Sequence, residues 1–268
     1  MAIGTNAMKL AANLAVCCVA MAGIGCGGVD PQAQALAENG SDVSDVAARV
    51  SGLTASFALG AGSTFDLGAI AATATLYSPA SCVSTNAGAE SVTLTFKDCS
   101  GPWGLVHLSG SVTVGPPPGS SAPGMIEVST TNLVMDQAKV NFSAQASIRS
   151  MGPAGRVLTW SPAISGFTAR GRPFHSEGNW SVAWTLGGTC IDVMSMGDQA
   201  IVDTSPLVIE QATGLKRCNA DCPTAGTLVV SNQVSNGPLS EVVTFNGQDI
   251  VAFSGSSGNS DIQLACGL

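Results

Sequence analysis

Beyond about residue 64 the chain alternates apolar and polar positions with a period of two. In 91–96, Val92, Leu94 and Phe96 are separated by Thr93 and Thr95; in 139–148, Val140, Phe142, Ala144, Ala146 and Ile148 alternate with Asn, Ser and Gln; in 179–186, Trp180, Val182, Trp184 and Leu186 alternate likewise. Successive side chains of a strand point to opposite faces, so these segments predict strands with one buried and one wet face. Less regular runs at 68–77, 105–114, 125–134, 156–160, 165–169, 190–194, 200–203, 206–211, 226–231, 240–245, 249–254 and 261–266 read the same way, punctuated by Gly, Pro, Asn and Ser. The prediction for 61–268 is an all-β domain: an antiparallel β-sandwich or rolled β-sheet of about a dozen short strands, with a sub-boundary near 217–225. The stretch GPPPGSSAPG (115–124) cannot continue a hydrogen-bonded ladder, because proline lacks the N–H donor. It predicts an exposed loop between two strands.

The first 60 residues follow a different pattern. One cation, Lys9, precedes the apolar run LAANLAVCCVAMA (10–22), which is followed by small residues. That is the layout of an export signal peptide over 1–25, and it is shorter than the ~20 apolar residues needed to cross a bilayer. Residues 27–40 (GGVDPQAQALAENG) are small and polar, as in a flexible tether. Val43, Val46, Ala47 and Val50 fall at helical spacing behind Ser41 and Asp42, so the tether, 26–60, is expected to contain one short helix over 41–53.

Composition narrows the function. Charged residues make up 10% of the chain and the formal net charge is −8, with the few cations scattered. A nucleic-acid partner needs a dense basic face, so that class is excluded. Nine cysteines stand at 17, 18, 26, 82, 99, 190, 218, 222 and 266. Setting aside Cys17 and Cys18 with the signal and Cys26 as its boundary leaves six, an even set in an exported chain, which predicts disulfides. Locality pairs Cys82 with Cys99. For the other four the preferred pairing is Cys190–Cys218 and Cys222–Cys266, with a four-cysteine zinc site as the rival reading.

The residues AGIGCGG (22–28), a small residue before Cys26 and a Gly-rich segment after it, resemble the lipobox of bacterial lipoproteins; Gly23 stands where that family usually carries Leu. The resemblance implies that the Cys26 thiol receives a diacylglycerol, that cleavage occurs before it, and that the new N-terminus is acylated. With Gly at position 27 rather than Asp, it implies an outer-membrane destination, on the periplasmic or the outer surface, with plain secretion as the alternative. TFKDCSGPWG (95–104), GTC (188–190) and CNADCPTAGTLVV (218–230) are similar to segments of uncharacterised Thr/Ser/Gly-rich envelope lipoproteins, a resemblance that implies no activity.

Candidate chemistry is sparse. The two histidines are His107, inside an apolar strand, and His175, in the polar cluster RGRPFHSEGNW (170–180). Arg170, Arg172, His175 and Glu177 therefore form the candidate binding loop for a glycan or protein ligand; its bland reading is a solvated turn. No G-x-S-x-G elbow, H-E-x-x-H, P-loop or dinucleotide fingerprint occurs. No catalytic residue, metal or cofactor is assigned. The expectation is a lipid-anchored envelope protein with a non-enzymatic structural, adhesive or ligand-binding role. The alternative is a hydrolase acting on envelope or extracellular polymers, and a third class is an outer-membrane β-barrel.

Overall fold

The computed structural model describes residues 30–61, 66–119, 124–151, 154–234, 237–256 and 258–267. From Val83 onward the described chain is built of β-strands, the all-β fold that the period of two predicts. Among the described residues, thirteen antiparallel strands follow one another in sequence order in a single sheet, each paired with its chain neighbour. They are β1 (Val83–Ala87), β2 (Val92–Gly101), β3 (Leu105–Gly115), β4 (Met125–Met135), β5 (Ala138–Met151), β6 (Gly155–Phe167), β7 (Pro173–Thr185), β8 (Ile191–Val202), β9 (Ser205–Arg217), β10 (Ala225–Val234), β11 (Gly237–Phe245), β12 (Ile250–Gly255) and β13 (Gly258–Gln263). Several are longer than the sequence suggests. The runs 156–160 and 165–169 belong to one strand, β6, and 190–194 and 200–203 belong to β8. The Gly-Pro stretch does join two paired strands, β3 and β4. The sheet also continues through 217–225, since β9 and β10 pair across it.

The alternation assigns the faces. Along β5, Val140, Phe142, Ala144 and Ala146 are buried, while Lys139, Asn141, Ser143 and Gln145 are exposed. Along β7, Phe174, Trp180, Val182 and Trp184 are buried. An outward face of amides and hydroxyls is suited to water, whereas a membrane barrel turns an apolar band outward.

The largest departure from expectation is at the N-terminal end of the described chain. Residues expected to form a tether with a short helix make one 31-residue helix, α1 (Pro31–Ala61), about 46 Å long. From Asn39 to Ala58 every residue is buried except Asp45, which is partly so. A helix buried on all sides must be surrounded; α1 touches strands from β3 to β13 on the concave face of the curled sheet. Its small residues permit that enclosure. A Cβ on Gly40 would stand 2.2 Å from Cγ2 of Val230 on β10, so only glycine allows helix and sheet to approach this closely. A second correction concerns 68–77, read as a strand. It forms a short helix, α2 (Leu67–Ala72), and a 3-10 turn; Oδ1 of Asp66 caps α2 by accepting from the Gly68 and Ala69 amides at 2.8 and 3.3 Å.

Three disulfides fasten the sheet: Cys82–Cys99, Cys190–Cys218 and Cys222–Cys266. The four cysteines of the zinc reading are thus paired in two disulfides. Disulfides persist in oxidising compartments, which places the folded chain in an exported environment. No helix among the described residues is long and apolar enough to cross a membrane.

Candidate functional site

The cluster 170–177 is divided by the fold. The loop between β6 and β7 turns Arg170 and Arg172 inward onto α1. Arg172 pairs with Glu38 at 3.0 Å and donates to the Asn39 side chain, while Arg170 pairs with Asp42 at 3.1 Å and donates to the Gln263 carbonyl. These two arginines hold the buried helix to the sheet and are already engaged. From Pro173 the chain is a strand, so His175 and Glu177, two apart, share its outer face. Nε2 of His175 and Oε1 of Glu177 lie 3.0 Å apart, both exposed.

His175 and Glu177 border a shallow groove of about 360 Å³ on the outer face of β7–β10. Gln199, Ser231 and Asn232 supply amides and a hydroxyl, and Ile201, Pro206 and Val208 supply the apolar lining. A second, more polar trough of about 600 Å³ crosses β4–β7 and is lined by residues including Glu127, Gln145, Ser161 and Asn179. One cross-strand row links the two: Ser143, Ala163, Glu177, Gln199, Val208 and Ser231 are successive register partners on β5 to β10. At ~4.8 Å per strand the row runs about 24 Å. Sequence reasoning found His175 and Glu177 but missed the rest. The period of two marks them as outward-facing, but their neighbours are set by cross-strand register, which no local pattern encodes.

The other histidine makes a different pair. Nδ1 of His107 lies 2.7 Å from Oδ1 of Asp98 at the surface, and that hydrogen bond, with the carboxylate charge, raises the imidazole above its ordinary value. The orientation of a base by an acid is present there. Among the described residues, however, no hydroxyl or thiol hydrogen-bonds either imidazole, and no group of three His, Cys, Asp or Glu could hold a metal. The six described cysteines are all in disulfides. The four tryptophans are at most 5% exposed, so none offers a surface for sugar stacking.

Beneath the groove, on the inner face, lies Asp198. A bulge in β8 places it opposite Gly178, where any Cβ would come within 2.7 Å of Asp198 Cα and Oδ1. Its oxygens accept from Ser176 Oγ at 2.9 and 2.8 Å, and burial pushes its pKa up to about 6. Burial does the same to Asp42, also to about 6, against the opposing pull of Arg170. Both carboxyls bind protons more tightly folded than unfolded. Above about pH 6 each therefore carries its full destabilising effect, which is relieved as pH falls toward the unfolded value of 3.8. Thermal melting should rise as the buffer is taken from pH 7.5 to 5, and Asp198→Asn should flatten the slope. A melting temperature constant over that window would contradict both assignments.

No protein-family model, curated protein or solved structure matches this chain.

Proposed function

We propose that the protein is an exported, lipid-anchored component of the bacterial envelope, attached through Cys26, whose β domain works by binding or scaffolding rather than by catalysis. One observation carries the reading: the six cysteines beyond Cys26 are completely paired with one another. The remaining three, Cys17, Cys18 and Cys26, all lie before the body, outside the described residues. The N-terminal segment resembles a lipoprotein signal, and the acyl chains at Cys26 would supply the membrane association. The polar row across β5–β10, with its two troughs, is the surface offered to a glycan or protein ligand.

Metabolic labelling with an alkyne fatty acid tests the anchor. Wild-type protein should carry label and partition into the detergent phase, and Cys26→Ala should lose the label and leave that phase. Equal label in both would remove Cys26 from its role.

A further inference from the structure

Building on the lipid anchor at Cys26, we infer that the body does not hang free of the membrane but rests on the lipid surface around the loop between β6 and β7, through Phe167 and Ile250. Only residues 27–30 separate Cys26 from Pro31, the start of α1. Fully extended, that connection spans about 18 Å at most. Because α1 is buried or half-buried at every position from Leu36 to Ala58, the anchor is tied to a rigid body only ten residues beyond Cys26. A lipidated Cys26 therefore fixes which end of the molecule faces the bilayer.

That end is identified by the contacts of the first turns of α1. Glu38 and Asp42 meet Arg172 and Arg170, in the loop between β6 and β7, and Arg170 also reaches the Gln263 carbonyl at the end of β13. Phe167 is the last residue of β6, immediately before this loop, and is 49% exposed. The β8–β9 turn borders this loop: the Asp203 amide donates to the carbonyl of Pro173, the first residue of β7, at 2.8 Å. Ile250, 53% exposed, pairs with Gln263 itself. Two of the large apolar side chains most open to water, Phe167 and Ile250, thus flank the loop that grips α1 at Glu38 and Asp42. Amphipathic surfaces held at a bilayer bury apolar groups ~5–10 Å into the headgroup and acyl boundary, the depth available to projecting side chains. Asp203 and Asp249 stand beside the apolar residues, so the contact suits zwitterionic lipid and owes little to charge.

The test uses full-length lipidated protein, its acylation verified by mass, in phosphatidylcholine vesicles with and without brominated acyl chains. Phe167→Trp places a reporter at the inferred contact; Leu186→Trp places one at the turn after β7, the opposite end of that strand. The native tryptophans, all buried, give a constant background. Emission from Phe167→Trp should be blue-shifted and quenched severalfold more by brominated lipid than that from Leu186→Trp, with Ile250→Trp repeating the result from a second strand. Equal quenching at both ends, or a blue shift at 167 that brominated lipid leaves unquenched because protein covers the site, overturns the docking. A mass without acyl chains overturns the anchor instead.

Discussion

Reduction of the purified protein is expected to unfold the β domain at ordinary temperature, or to bring it to the edge of unfolding. The three disulfides close consecutive, non-overlapping loops with sequence separations of 17, 28 and 44 residues. In the chain-entropy model loops of these sizes contribute about 3, 3.6 and 4 kcal/mol, or about 11 kcal/mol together. That is comparable to the whole net stability of a typical domain, about 5–15 kcal/mol. The bonds should not break together. Cys190 and Cys218 are both partly exposed, whereas Cys82 and Cys99 are buried, so the 190–218 bond yields first. Circular dichroism melts at stepped thiol concentrations, with free thiols counted at each step, would follow this. A fully reduced protein melting within a few degrees of the oxidised one would show that the sheet and α1 suffice alone. The expected result ties fold to location: the chain reaches its stable form only where cysteines are oxidised, as an exported protein does.

What could be read from the sequence followed from what local pattern encodes. β5 and β7 are legible because one face is wet, and the alternation of Phe142 with Ser143, or Trp180 with Ser181, records that difference. Of the disulfides, Cys82–Cys99 was legible from spacing; the pairing of the other four cysteines was a preference among alternatives, since what joins Cys190 to Cys218 is their place beside the register pair Ile191 and Arg217. α1 was not legible for the opposite reason. A helix enclosed on all sides has no wet face and so no amphipathic stripe, and close enclosure selects Gly40, Gly52, Ala and Ser, the residues of a linker. Asp66 before Leu-Gly-Ala-Ile was a cap signal for α2 that the apparent alternation of 68–77 concealed. The candidate loop failed in a third way. Arg170 and Arg172 looked free because their partners, Asp42 and Glu38, lie 128 and 134 residues away in sequence.

Asp45→Asn, a near-isosteric change, is expected to cost about 3–5 kcal/mol, the range for breaking a buried ion pair by removing one partner. Asp45 on α1 lies between two arginines. Arg49, one turn later, donates to Oδ2 at 2.7 Å, and Arg217 at the end of β9 donates to Oδ1. Both guanidinium groups are buried, 2% and 1% exposed, and they hold the carboxyl of Asp45 below its ordinary value despite its burial. The stability it contributes is therefore present above the unfolded pKa and is lost as pH falls below it, the opposite limb from Asp42 and Asp198. Once the charge is gone, Arg49 retains the Asp136 carboxylate at 3.7 Å and the Asp221 carbonyl at 3.5 Å, and Arg217 is left with carbonyls, the Asp221 oxygen at 3.0 Å foremost. Two buried cations then face one another, and burial already depresses Arg217. This predicts a specific rescue. Arg217→Met removes the stranded charge while keeping an apolar stem in the space, so the double variant should be more stable than Asp45→Asn alone. Denaturant melts of the two single variants and the double would measure the coupling. A double variant no more stable than Asp45→Asn would mean that Arg217 acts through its carbonyl contacts to the 221 loop, and that the ion cluster is not what locks α1 into the sheet.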